Sequence, residues 1–162
     1  MKLEKLDQKF RAQINTYITE EWGDPIISRG NIIHTETLPG FIVADGDKLA
    51  GFILYQIIGG ACEIVVLNSY IENSGGGTSL INSVIAEAKS ATCSRVWLIT
   101  TNDNIHAIRY YQRRGFSLKA VHINAFDVTR ALKYNPLPEG LLGNDDIPIK
   151  HEFEFEILLK NA

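Results

Sequence analysis

Residues 65 to 80 read Val65-Val-Leu-Asn-Ser-Tyr-Ile-Glu-Asn-Ser-Gly-Gly-Gly-Thr-Ser-Leu80, and this junction decides the fold. Its first half is an apolar, β-branched run of the kind that forms a buried strand. Its second half is a triglycine that leads into Leu80, Ile81, Val84, Ile85 and Ala88, one apolar stripe at helical spacing. Glycines just ahead of a helix let backbone N–H groups approach a ligand closely, and the helix start adds about half a positive charge. The junction therefore suits a pyrophosphate, although glycines at such a turn also serve backbone geometry alone. It lacks the Gly-Lys-Ser/Thr of a P-loop and the full G-x-G-x-x-G of a dinucleotide fingerprint, which counts against ATP and NAD.

Upstream, Gly40 to Ala44, Lys48 to Ile58 and Cys62 to Ser69 are rich in β-branched and aromatic residues. Asp45-Gly46 and Gly59-Gly60 separate them, dipeptides that supply the positive φ of tight hairpins, so the three runs predict an antiparallel meander. Before them, Phe10, Ile14, Tyr17 and Ile18 recur at helical spacing from Leu6 to Trp22, and Gly23-Asp24-Pro25 stops the pattern; the stretch between this helix and Gly40 reads as loop. Downstream, Arg95 to Thr101 reads as a buried strand. Asp103-Asn104 caps a second helix with Ile105, Ile108 and Tyr111 on one face, and Gly115 ends it. A strand from Phe116 to Val121, a short helix from Asn124 to Lys133 and a long ordered loop from Asn135 to Pro148 follow. The last run, His151 to Leu159, alternates with period two, which places Phe153, Phe155 and Ile157 on one face and Glu152, Glu154 and Glu156 on the other. The glutamate face reads first as the solvent side of the strand, and otherwise as a carboxylate row that would draw a cationic amine if that face lines a cleft. The expected fold is α+β: a mixed, mostly antiparallel central sheet flanked by helices, with a parallel crossover pair.

A length of 162 residues with 45% hydrophobic content fits one domain over 1–162. The net charge of −3, with no basic stripe beyond Arg113-Arg114, argues against nucleic acid as a partner. The amino-terminal MKLEKLDQKFRAQ lacks the apolar core of a signal peptide, and no run approaches the roughly 20 apolar residues that span a bilayer, so a cytoplasmic protein without a membrane partner is expected. Cys62 and Cys93, flanked by apolar or small residues, read as buried free thiols, and no metal is expected. The sequence leaves the oligomeric state open, a homodimer included.

The segment Asn104-Ile-His-Ala107-Ile-Arg-Tyr-Tyr111-Gln-Arg-Arg-Gly115-Phe116 carries the pattern N-x-x-A-x-x-x-Y-x-x-x-G-F. Together with the glycine turn and helix upstream, in this order and spacing, it resembles the GNAT superfamily of N-acetyltransferases over roughly Gly40 to Val121. The stretches Trp22-Gly-Asp-Pro, Arg29-Gly-Asn-Ile-Ile-His34 and the carboxy-terminal residues 122 to 159 look like a bacterial subgroup of that superfamily with an unassigned substrate. The resemblance implies acetyl-CoA as co-substrate. Its pantetheine arm would lie as a pseudo-strand along Leu67-Asn68-Ser69, in the gap of a parallel strand pair that the resemblance implies is splayed. The family's phosphate loop, R/Q-x-x-G-x-G/A, maps Gly75 and Gly77 onto the small positions around Gly76, with Thr78 and Ser79 at the helix start and Glu72 where a basic or amide residue usually stands. Asn104 and Ala107 would contact the pantetheine arm, and Tyr111 would protonate the departing sulfur.

Direct acetyl transfer to a primary amine needs an uncharged amine, a stabilised oxyanion and a proton for the thiolate. A backbone N–H near Leu67 would polarise the thioester, as the resemblance implies. Glu63, at the start of its strand, ranks first as base, set against a plain solvated strand end; His34 and His122 follow. Tyr111 could equally be a core aromatic and Asn104 a plain helix N-cap. Arg29, with Trp22, could hold a carboxylate or cap a cleft. Two other classes remain open: a non-catalytic acyl-CoA sensor, which binds without turnover, and a nucleotide-binding domain, which ATP rather than CoA would stabilise.

Overall fold

The hairpin signals place the meander where expected in the computed structural model, which describes residues 1–23, 25–70, 75–133 and 141–160. Strands β4 (Gly40–Asp45), β5 (Lys48–Ile58) and β6 (Ala61–Ser69) pair antiparallel in sequence order. Gly59 and Gly60 make the second turn with φ of 60° and 74°, positive at both central residues as a type I′ turn requires.

The chain forms two compact units. The first holds β1 (Lys2–Lys5), helix α1 (Gln8–Glu21), the meander, helix α2 (Gly76–Ser90) and the start of β7 (Arg95–Thr101). Its strands run in the order β1-β4-β5-β6, and β6 is followed by β7, which the α2 crossover brings back as its parallel neighbour. Helix α1 buries Phe10, Ile14 and Ile18, and α2 buries Gly77, Leu80, Ile81, Val84 and Ala88, the stripes read from the sequence. With Phe52, Ile53, Leu54 and Val66 of the sheet they make the core, each large side chain contributing about 1.5–3 kcal/mol by leaving water. Strand β1 was not expected. KLEK has a single apolar residue, too little for a periodic signal, and it is strand because the open edge of β4 offers it a ladder from Lys2↔Ala44 to Lys5↔Phe41.

Gly51 sits where a Cβ would come within 2.9 Å of the Asn68 carbonyl oxygen and 3.3 Å of the Ser69 Cα, both backbone atoms that cannot step aside. Gly51→Ala is therefore expected to push β5 away from the end of β6 and cost about 1–3 kcal/mol, read as a lower urea midpoint with an unchanged slope.

The second unit comprises β2 (Ile26–Ser28), β3 (Asn31–Ile33), the rest of β7, helix α3 (Ile105–Arg113), β8 (Ser117–His122), helix α4 (Phe126–Lys133) and β9 up to Ile157 (the whole strand is Glu152–Leu158). Here the order is β7-β9-β8, with β8 and β9 antiparallel. The β2-β3 hairpin corrects the loop expected in this region: Arg29 and Gly30 take φ of 50° and 75°, a type I′ turn whose first residue is not one that signals it in sequence.

The solvent-facing row of glutamates is also corrected. Glu152 and Glu154 are 2% and 4% exposed, and only Glu156 is partly open. On the opposite face Phe155 is buried, while Phe153 and Ile157 are half-buried. Alternation located the strand correctly but said nothing of what would cover its polar face, which is contacted by Arg29 of the hairpin and Thr129 of α4. Of the expected loop from Asn135 to Pro148, residues 135–140 lie outside those described; the remainder holds a short 3-10 turn at Asn144–Asp146 and a Leu142↔Pro148 bridge. No helix among the described residues is long and apolar enough to cross a membrane.

Candidate active site

In the first unit the sheet supplies the end of β6. Leu67, Asn68 and Ser69 are half-buried and pair with Ile53, Phe52 and Gly51 of β5. Below them the register slips: Leu54 faces Val66 but Tyr55 faces Ile64, so Val65 is an extra, bulged residue on β6. A bulge interrupts the ladder and re-aims the groups around it, a feature enriched beside active sites. The amide nitrogen Nδ2 of Asn68 is buried and finds no hydrogen-bond partner among the described residues.

Gly75 caps α2 in the left-handed region, with φ 81° and no side-chain capping bond. The Ser79 N–H donates to the Gly75 carbonyl at 3.0 Å, so Gly76, Gly77 and Thr78 form the amino-terminal turn whose N–H groups point along the helix axis. Among the described residues outside its chain neighbours, no atom lies within 4 Å of where a Gly75 Cβ would stand. Glu72, at the position expected to carry a basic or amide residue, lies outside the described residues.

Glu63 is not a solvated strand end. It is 5% exposed, faces Gln56 across the β5-β6 ladder and accepts a hydrogen bond from Gln56 Nε2 at 2.9 Å. Four residues separate it from Leu67, roughly 13 Å along an extended strand. Of the histidines, His34 is exposed and His122 is half-buried.

In the second unit α3 presents Asn104, Ala107 and Tyr111 on one face, spaced three and four residues apart. Asn104 Oδ1 accepts from the Ala107 N–H at 3.1 Å, so the plain N-cap role is realised, and the amide nitrogen stays available for a ligand. Although α3 is strongly amphipathic, none of its residues is fully buried, and Tyr111 is half-buried. Tyr111 meets Phe116 edge-on at 5.4 Å between ring centroids, and the desolvation of its hydroxyl, with a smaller contribution from Tyr110, raises its phenol well above the usual tyrosine value. Arg114 lies over the Tyr110 ring at 3.3 Å and donates from Nη1 to the Tyr110 carbonyl, so half of the Arg113-Arg114 pair is engaged locally.

Asp103, expected as part of the helix cap, does other work. It is 3% exposed and accepts from the Thr101 hydroxyl and from the backbone and side-chain nitrogens of Asn144, at 2.9 and 3.1 Å. Asn102 Oδ1 accepts from the Lys150 and His151 N–H groups, and its Nδ2 donates to the Pro148 carbonyl. Three consecutive polar residues thus divide the labour: Asn102 and Asp103 hold the 141–151 segment, and Asn104 starts the helix. The sequence offered no cue to the first two roles, because the partners lie some 40 residues away.

The buried glutamates form the second polar cluster of this unit. Glu152 accepts from the Arg29 N–H at 3.1 Å and the Thr129 hydroxyl at 3.0 Å. Glu154 Oε1 lies 2.9 Å from His122 Nε2 and 3.5 Å from Arg29 Nη1. Arg29 therefore holds two carboxylates, which offsets the cost of its left-handed backbone. Trp22, its suggested companion, caps the carboxy-terminal end of α1 in the first unit and is exposed. The thiols are elsewhere: Cys62 and Cys93 are both free and buried, and burial, then the neighbouring Cys93 and Glu63, push Cys62 up to about 12, which leaves it an inert thiol. No group of histidine, cysteine and carboxylate side chains among the described residues could hold a metal ion.

The family model described as the Acetyltransferase (GNAT) family matches residues 5–116. The protein YdhI of Bacillus subtilis strain 168 is 43% identical over 144 residues, 85% of this chain and 89% of the relative. Among solved structures, a Bacillus subtilis acetyltransferase in complex with CoA superposes with a TM-score of 0.68 at 19% identity, covering 98% of this chain and 100% of that one. The ribosomal-protein-S18-alanine N-acetyltransferase of Escherichia coli does so with 0.67 at 15% identity, over 99% and 95%. These two share the mixed, mostly antiparallel α+β fold, and the family model covers well over half of the sequence: the chain belongs to the GNAT family of acetyltransferases.

Proposed function

We propose that residues 1–162 act as one catalytic domain that moves an acetyl group from acetyl-CoA directly to a primary amine of a small molecule, peptide or protein terminus, within a ternary complex. The observation that carries this reading is the start of α2, where a left-handed Gly75 with no side-chain capping bond leads into the positive end of the helix dipole, at the position the family resemblance assigns to the coenzyme's pyrophosphate. That a structural relative was solved with CoA, and that another is an N-acetyltransferase, supports both the donor and the amine.

Each residue then has a task. Backbone amides of Gly76, Gly77 and Thr78, with the Ser79 hydroxyl, bind phosphate oxygens; Leu67, Asn68 and Ser69 pair with the pantetheine amides; the Asn104 amide nitrogen and the small Ala107 contact the arm. Residues around the Val65 bulge supply an N–H to the thioester oxygen, where negative charge develops. Tyr111, kept protonated by its buried environment, gives its proton to the leaving sulfur. Glu63 serves as a remote carboxylate reached only through water.

Calorimetric titration with CoA and acetyl-CoA, followed by free-thiol release in the presence of a panel of primary amines, tests the proposal. Saturable acetyl-CoA binding with amine-dependent thiol release is the expected result. Binding without release would favour an acyl-CoA sensor, and stabilisation by ATP but not CoA would favour a nucleotide-binding domain.

A further inference from the structure

Resting on the acetyl-transfer reading, we infer that His122 is the group that takes the proton from the acceptor amine, with Glu154 as the residue that positions it. His122 ends β8 directly opposite Glu152, which makes Glu154 its diagonal neighbour on the same face. The contact is 2.9 Å, from His122 Nε2 to Glu154 Oε1. The two side chains differ in access: His122 is 27% exposed and Glu154 only 5%. A buried carboxylate against one ring nitrogen fixes tautomer and ring orientation, and leaves Nδ1 to exchange a proton with an incoming group.

The surroundings are built to keep that arrangement. Among the described residues, Glu152 on β9 and Arg29 on the β2-β3 turn are charged groups that face the pair, Arg29 Nη1 lying 3.5 Å from the same Glu154 oxygen, and α4 contributes the neutral Thr129 hydroxyl. Placement within the unit also fits. The Asn102 N–H donates to the His151 carbonyl at 3.1 Å, which sets the start of β9 against the end of β7, two residues before the Asn104 cap of the helix that carries Tyr111. Glu154 is three residues further along, roughly 10 Å in an extended strand. By contrast Glu63 is buried and hydrogen-bonded to Gln56.

The step balances without another reactant. The acceptor nitrogen bonds to the thioester carbon while one of its protons passes to His122 Nδ1. The C–S bond then breaks, its electron pair leaving on sulfur, which takes the Tyr111 proton. His122 releases its proton to solvent, and Tyr111 is reprotonated from solvent.

The test compares the wild type with His122→Asn, Glu154→Gln and, as a control at an exposed histidine, His106→Asn. Thiol release from acetyl-CoA is followed with ethanolamine and with water alone as acceptors, from about pH 5 to 9, a range that includes the interval from about 5 to 8 in which imidazole side chains in general change charge. His122→Asn should lower kcat roughly fiftyfold and flatten the acid limb of the profile, somewhat less than a positioned base usually supplies because water can substitute. The acetyl-CoA KM and calorimetric affinity should not change. Glu154→Gln should lower kcat by a smaller factor at unchanged acetyl-CoA affinity, and His106→Asn should match the wild type. Wild-type kcat and profile in His122→Asn would overturn the inference alone, as would a loss of rate matched by an equal loss of acetyl-CoA affinity. A wild type that binds no acetyl-CoA, or binds it without releasing thiol to either acceptor, would overturn the transfer reading as well. Because His122 is partly exposed, its variant remains informative even if Glu154→Gln does not fold.

Discussion

Replacing Tyr111 by phenylalanine is expected to lower kcat a hundred- to a thousandfold while leaving the affinity for acetyl-CoA within about twofold of the wild type. The ring that packs on Phe116 is retained, so the edge-on contact at 5.4 Å and the helix around it should persist. Only the hydroxyl is lost. Its raised pKa is the reason to expect a selective effect: burial keeps the phenol protonated across the neutral and mildly alkaline range, so it is a donor at every working pH, and its own ionisation puts no alkaline limb into the profile. A thiolate that departs without that donor must take its proton from water. Stopped-flow thiol release gives the rate and calorimetry the affinity. An unchanged kcat would reduce Tyr111 to a packing residue, whereas a joint loss of rate and affinity would mean that the hydroxyl positions the coenzyme.

Asp103→Ala is expected to be the most destabilising of the polar substitutions, by about 2–3 kcal/mol. The carboxylate is buried and accepts three hydrogen bonds, and its removal releases the segment at Asn144: the exposed Asn144 donors return to water, while the half-buried Thr101 hydroxyl loses its acceptor. Asp103→Asn should cost far less, about 1–1.5 kcal/mol. Its oxygen can face Asn144, as Asp103 Oδ2 does, and its NH2 can face Thr101, whose hydroxyl turns from donor to acceptor. Equilibrium urea unfolding of both variants checks the pair; equal losses would show that the charge rather than the hydrogen-bond pattern matters. Gly143 packs against the same carboxylate so closely that a Cβ there would overlap it, and Gly143→Ala should therefore approach the alanine variant of Asp103 in cost.

Much of the site is local, and what is local is legible in the chain. The triglycine bend and the stripe from Leu80 to Ala88 define α2, because a helix needs only its own period and a start signal. Asn104 caps α3 through Ala107, three residues away, and the hairpin glycines fix the β4-β5-β6 meander. Spacing therefore placed Gly75 to Ser79 at the start of α2 and Asn104, Ala107 and Tyr111 along α3; the roles proposed for them come from the family resemblance.

What the sequence could not determine is every relation between distant segments. Strand β1 exists because β4 has an open edge, and Arg29 takes a left-handed conformation because Glu152 and Glu154 lie against it. Period-two alternation sorted the last strand into two faces but could not say that the glutamate face would be covered, since a period records direction and not what lies in that direction. Asp103 looked like a cap and proved to be the tie that holds Asn144; Glu63 looked solvated and proved buried beside Gln56. Backbone geometry is decided within a few residues by sterics and hydrogen-bond reach, and so it is written in the chain. The burial and pairing of charges depend on which remote surface closes over them, and that was settled by the tertiary structure.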